Sequence, residues 1–266
     1  MTTYTGIDPL SVSLDGAVLS VTFNRPESLN SLTAAMMETL CDVLDQAGSD
    51  PAVKVVRLGG AGRGFCAGAG ISAEDQAQAG VADDIDPLLA AVNIAVRKIA
   101  DLPQPVVAVV QGPAAGVGVS LALACDIIMA SEKAFFLLAF TKIGLMPDGG
   151  ASALVAASIG RTRAMKMALL AERLPATEAF EYGLVSSVHA ADELESAADA
   201  VIDRLASGPA IALRKTKHAI NAATLTELDD ALVRETKGQL ILLHTKDFAE
   251  GTRAFQERRP AHFSGA

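Results

Sequence analysis

Gly112-Pro113-Ala114-Ala115-Gly116-Val117-Gly118-Val119-Ser120-Leu121-Ala122-Leu123 follows a Val-rich apolar run at 105–110 and continues into Cys125-Asp126. The run reads as a buried strand and residues 119–124 as a helix of small side chains, so the segment is strand, glycine loop, helix. Small residues let backbone approach a ligand closely. A helix start also leaves N–H groups that favour negative charge. A second loop of this kind, Arg63-Gly64-Phe65-Cys66-Ala67-Gly68-Ala69-Gly70, follows a short strand at 53–58. Two N–H groups converging from two such loops can form an oxyanion hole. Either loop alone reads more simply as a turn. A dinucleotide-binding reading fails, because the glycine spacing is wrong and no acidic residue stands about 20 positions on.

Around these loops the pattern is α/β. Residues 11–24 alternate about Asp15-Gly16 as a hairpin, with Val18 or Leu19 opening the inward row of its second strand. Thr33 caps a helix over 34–47. A helix over 83–100 has Pro87 in its first turn, and 126–130 is a further strand. Strand-then-helix units in series predict a layered core. Beyond about residue 190 only helical segments follow, at 191–206, 209–221, 226–243 and 246–258. The expected division is a core at 1–190 and a helical oligomerisation region at 191–266.

Composition narrows the function. The chain has 266 residues, half of them hydrophobic, enough for a substantial core. Net charge is -9 with no basic stripe, which argues against nucleic acid. No apolar run reaches the ~18 residues of a membrane span, and residues 1–10 carry no Lys or Arg and resemble no leader. Cys41, Cys66 and Cys125 are scattered and odd in number, which predicts a reducing compartment and, by elimination, the cytoplasm. His189, His218, His244 and His262 lack metal-ligand spacing, so no metal is expected.

Several motifs in order resemble the enoyl-CoA hydratase/isomerase (crotonase) superfamily. They are Asn24-Arg25-Pro26 with Asn30, the Phe-Cys-Ala-Gly loop, the 112–126 segment, Ile143-Gly144-Leu145 with Pro147-Asp148-Gly149-Gly150, Gly183-Leu184-Val185, and Ala254-Phe255 with Arg259-Pro260. The resemblance covers residues from about 10 to 263. It implies a spiral of ββα units with a C-terminal helical trimerisation region, working as a homotrimer or a dimer of trimers. It implies an acyl-CoA thioester as substrate, with coenzyme A arriving as part of it and no permanently bound cofactor. By position the oxyanion donors are the N–H groups of Ala69 and Val117. Two departures stand out: Val117 is β-branched, and Gly70 replaces the common Asp.

The two glutamates of a hydratase in this family fall at Ser120 and Phe140. Ser lacks a partner to make it a base, and Phe has no proton to move. Asp148 remains, in the place where some isomerases of the family keep one acid for a 1,3-proton shift. Its other reading is an N-cap, since Asp-Gly-Gly-Ala-Ser-Ala-Leu suits a helix start. A dehalogenase relative uses a similar Asp as nucleophile, but with a Trp and a His that this chain lacks before His189. Asp126 reads as structural. Ser120, Gly70, Phe140 and Phe136 (or Phe135) are expected to line the acyl pocket. Glu74 and Asp75 usually face solvent, with a pocket role as the alternative. Ser28, Leu29, Ala67 and Gly68 are expected along coenzyme A. Phe255 and Arg258 match positions that reach its nucleotide in some relatives; Arg258 reads equally as part of a solvated cluster. Three readings follow: an isomerase moving a double bond from 3-enoyl to 2-enoyl-CoA through Asp148, a non-catalytic acyl-CoA-binding protein, and a hydratase acting through Asp148 and a water.

Overall fold

The structure, a computed structural model, describes residues 3–70 and 86–266. The alternating stretch becomes a hairpin, β1 (Leu10–Asp15) and β2 (Val18–Phe23), paired antiparallel with Leu14 opposite Leu19. Leu19, Val21 and Phe23 form its buried row, so Leu19 and not Val18 opens it. Parallel strands follow: β2 pairs with β3 (Val55–Gly60), β3 with β4 (Val106–Val110), β4 with β6 (Ile127–Ser131) and β6 with β9 (Ser187–His189). A smaller sheet joins β5 (Ala114–Ala115), β7 (Phe135–Leu137) and β8 (Leu174–Pro175). Its short strands, and β9, carry too few residues to show a period, so the sequence did not reveal them.

Between the strands lie α1 (Ala34–Ser49), α2 (Pro87–Asp101), α3 (Val117–Ala124), α4 (Ala151–Leu170) and α5 (Ala176–Tyr182). After β9 come α6 (Leu194–Ala206), α7 (Ala210–Thr224), α8 (Leu228–Leu242) and α9 (Lys246–Glu257). Thr33 caps α1 through the N–H of Met36, and Asp86 caps α2 ahead of Pro87 through Leu88 and Leu89. Every residue of α3 is buried, which its small side chains permit between α2 and α4.

A parallel sheet must be covered on both faces. Alternation along the strands assigns the two sides. Val56, Leu58, Val106, Ala108, Val110, Ile128 and Ala130 point into the main core with α1 to α3. Val55, Val107, Val109 and Met129 point the other way, onto Leu194, Ala198 and Ile202 of α6. Arg57, on that second face, reaches Glu195 of α6 at 2.5 Å. α6 thus covers the second face of the sheet, and Leu228 and Leu232 of α8 join the main core, so helices beyond residue 190 pack on the strands and helices before it.

α7 is pinned to the end of α2 by Lys217. Its Nζ lies 2.9 Å from Asp126 Oδ2, and donates to Ile99 O at 2.9 Å and Gln104 O at 3.3 Å. Asp126 Oδ2 also accepts the N–H of Val106 at 2.7 Å, so it joins the starts of two neighbouring strands to α7. Removing one partner of a buried pair leaves the other charged and unsatisfied. Lys217→Ala is expected to lower unfolding stability by about 3 kcal/mol. Urea unfolding at matched protein concentration reads this, and an unchanged midpoint would refute the tether.

Candidate active site

The first glycine loop is held by Asn30. Leu29 and Asn30 adopt left-handed backbone, which Asn tolerates better than most residues. Asn30 Oδ1 accepts the N–H of Arg25 at 2.9 Å, and its Nδ2 donates to Ala61 O at 2.9 Å and Gly64 O at 2.7 Å. The loop is laid alongside by Ala67 N–H donating to Leu29 O at 2.9 Å. Gly68 O accepts from Leu32 at 2.8 Å and Gly70 N–H donates to Leu32 O at 3.2 Å. Successive N–H groups of extended backbone alternate in direction, so the N–H of Ala69 faces away from Leu32.

The second loop docks on the first. Ala115 N–H donates to Cys66 O at 2.8 Å, and Gly116 N–H to Leu137 O at 2.9 Å. A Cβ on Gly68 would sit 2.8 Å from Ala115 O, so only glycine permits this approach. A Cβ on Gly116 would lie 3.6 Å from Gly68 Cα, which puts the two glycines in direct contact. Ala69 and Val117 each follow one of these glycines. Val117 is the first residue of α3, and neither its N–H nor that of Ala69 donates to a carbonyl of the described residues. Phe140 is buried beside them, its Cζ 3.9 Å from the same Gly116 position.

One turn of α3 beyond Val117, Ser120 Oγ donates to the main-chain O of Asp148 at 2.8 Å. Asp148 is 7% exposed. Its Oδ2 accepts from Gln239 Nε2 at 2.6 Å, and its Oδ1 has no hydrogen-bond partner among the described residues. Burial pushes its pKa up to about 7; the Gln239 hydrogen bond opposes this, and the charges of Glu235 and Asp86 add to it. The cap reading is corrected. The Asp148 side chain caps nothing at the start of α4, where Gly150 is the cap residue. The free N–H groups of Gly150 and Ser152 go instead to Glu235, at 2.6 and 2.8 Å.

Other expected residues fall elsewhere. Phe136 is 0% exposed in the main core, because alternation in β7 turns it inward. Phe135 packs under the Arg173 guanidinium. Ser28 Oγ donates to Arg25 O and Leu29 abuts Gly64, so Ser28, Leu29, Ala67 and Gly68 form one strip. Phe255 and Arg258 lie on the exposed end of α9, which packs against the turn Ala139–Ile143. Among the described residues no hydrogen bond or ion pair brings either one to that strip. Glu74 and Asp75 lie outside the described residues. Among the described residues no group of three His, Cys, Asp or Glu side chains is placed to hold a metal, and no helix is long and apolar enough to cross a membrane.

Sequence reasoning missed Glu235 and Gln239. Their signal was available: they continue the stripe Leu228, Ala231, Leu232 at helical spacing, where polar side chains turn inward only to meet a polar need.

The chain matches the family described as enoyl-CoA hydratase/isomerase over residues 14–266. It is 38% identical over 253 residues to a 1,2-epoxyphenylacetyl-CoA isomerase of Escherichia coli, covering 95% of this chain and 97% of that one. It is also 38% identical over 251 residues to a probable enoyl-CoA hydratase of Rhodobacter capsulatus, covering 92% and 93%. Its fold superposes on the crystal structure of an enoyl-CoA hydratase from Mycobacterium avium subsp. paratuberculosis. There the TM-score is 0.91 and the identity 61%, with 97% of this chain and 100% of that one covered.

The raised proton affinity of Asp148 has a consequence for stability. The unfolded carboxyl ionises near its ordinary 3.8 and the folded one near 7. Between those values the unfolded state sheds a proton that the folded state keeps, so stability falls as pH rises through this window. Asp148→Asn removes that ionisation. Its melting temperature relative to the wild type is expected to climb from pH 4 to pH 8. A difference constant across that range would contradict the burial of an ionisable Asp148.

Proposed function

The chain belongs to the enoyl-CoA hydratase/isomerase family, and from that premise we propose that it is an acyl-CoA isomerase with Asp148 as its single proton shuttle. The thioester oxygen sits between the N–H groups of Ala69 and Val117. Oδ1 of Asp148 removes a proton from C2 of a 3-enoyl-CoA, and negative charge passes to the thioester oxygen. Asp148 Oδ1 then returns the proton to C4, leaving the 2-enoyl ester at unchanged mass. The observation carrying this reading is one buried carboxyl with an unpartnered oxygen and a pKa near 7, beside positions 120 and 140 that hold no acid. An acid that titrates near the working pH can both take and give a proton.

Ser28, Leu29, Ala67 and Gly68 are proposed to lie along coenzyme A, with Phe140 and Gly70 beside the acyl group. Hydration through Asp148 and a water is the second reading, supported by the hydratase names among the relatives. We also propose a homotrimer or dimer of trimers. It is supported by apolar side chains exposed on the last helices, Ile211, Ile220, Val233, Ile241 and Phe255. Light scattering of the purified chain should give three or six protomer masses, and a monomer would refute the assembly.

Incubation with a 3-enoyl-CoA and, separately, a 2-enoyl-CoA separates the readings. Isomerisation converts the first at constant mass; hydration adds water to the second; a pure binder changes neither. Asp148→Asn is expected to abolish turnover with ester binding retained, and full activity in that variant would sink the role. Gly116 adopts φ 54, ψ -132, outside the regions open to L side chains. Gly116→Ala would swing the Val117 N–H away and is expected to lower kcat by about 10²-fold. An unchanged kcat would remove Val117 from the donor pair.

A further inference from the structure

α8 turns two polar side chains into the protein, Glu235 at 1% and Gln239 at 2% exposure, one helical turn apart. Together they grip residues 146–152. Gln239 Oε1 accepts the N–H of Met146 at 3.2 Å while its Nε2 donates to Asp148 Oδ2 at 2.6 Å. Glu235 takes the N–H groups of Gly150 and Ser152. The amide of Gln239 has one orientation open to it. A backbone N–H can only donate, so Met146 fixes the amide oxygen toward itself and leaves the NH2 group for Asp148. A donor on Oδ2 favours the unprotonated, carbonyl-type oxygen there, the better acceptor. A proton on the carboxyl therefore resides on Oδ1, the oxygen without a partner.

We infer that Gln239 is a positioning residue that locks the Asp148 carboxyl in one rotation and reserves Oδ1 as the oxygen that exchanges the proton. The inference rests on Asp148 as the proton-transferring group. The charged groups facing Asp148 are Glu235 of α8 and Asp86 at the start of α2, and both strengthen its hold on a proton. Ser120 offers no counterweight, because its hydroxyl is committed to the Asp148 main-chain oxygen. Gln239 is the group that favours the carboxylate, and it also sets which oxygen is free.

The test is a carboxyl ¹³C NMR titration of aspartate-labelled protein, with the Asp148 resonance identified by its absence in Asp148→Asn. Gln239→Met keeps the length of the side chain and removes the donor. The Asp148 titration is expected to move up from about 7 by roughly one unit, a tenfold rise in proton affinity. The pH of half-maximal isomerisation moves the same way, while binding of the saturated ester butyryl-CoA stays within about twofold, because Gln239 touches the acid and not the ester. A titration in Gln239→Met that coincides with the wild type overturns the inference. Should Gln239→Met fail to fold, Gln239→Leu removes the donor with a smaller side chain. Its Asp148 titration is expected to rise likewise, and an unmoved one overturns the inference equally. If Asp148→Asn retains turnover, the isomerase reading falls, and the titration still decides what Gln239 does to the carboxyl.

Discussion

Two stretches of backbone can bring their N–H groups to one point only where they touch without side chains between them. The contact of Gly68 with Gly116 meets that condition, and much of the chain's order serves it. Asn30 stitches the first loop to the 25–30 turn, the bridge from Cys66 to Ala114 ties loop to loop, and β5 and β7 carry the second loop into a small sheet of its own. The fully buried α3 starts at Val117 and adds the partial positive charge of its N-terminus to the same point.

The acid is arranged on the opposite principle. Burial alone would hold Asp148 protonated, and Glu235 and Asp86 reinforce that. The hydrogen bond from Gln239 offsets part of the effect, which leaves the group balanced between its two states near neutral pH. Glu235 has a separate duty as well. It satisfies the start of α4, so Asp148 is released from the capping role that its sequence position suggests. Two carboxyl groups stand close together here, one holding the start of α4 and one with an oxygen left without a partner among the described residues.

The sheet strands, α1 with its Thr33 cap, α2 with Pro87, and the run of terminal helices were legible, because each shows either a clean period or a strong end signal. The two glycine loops were legible as loops, and their meeting was implied by family resemblance. What escaped was set by long-range contact. Strands of two or three residues owe their existence to partners, as Leu174 owes its place to Phe136. Phe136 and Phe140 look alike in sequence, yet strand alternation sends one into the core and a short helical turn sets the other beside Gly116. The split at residue 190 followed the end of strand signals, while the second face of the sheet needed α6 beyond it. Whether Asp148 capped its own helix could not be read locally, because the competing cap lies 83 to 85 residues away.

That separation bears on how the protein is made. Asp148 and Gln239 are 91 residues apart in the chain. A ribosome releases the sheet strands and both glycine loops long before α8 emerges, and chains generally begin to fold from the N-terminal end. A nascent chain can thus form the Gly68–Gly116 contact while Asp148 still lacks its hydrogen bond from Gln239. The surroundings of Asp148 are completed late, when α8 and the residues after it, about a seventh of the polypeptide, fold back over a framework already in place.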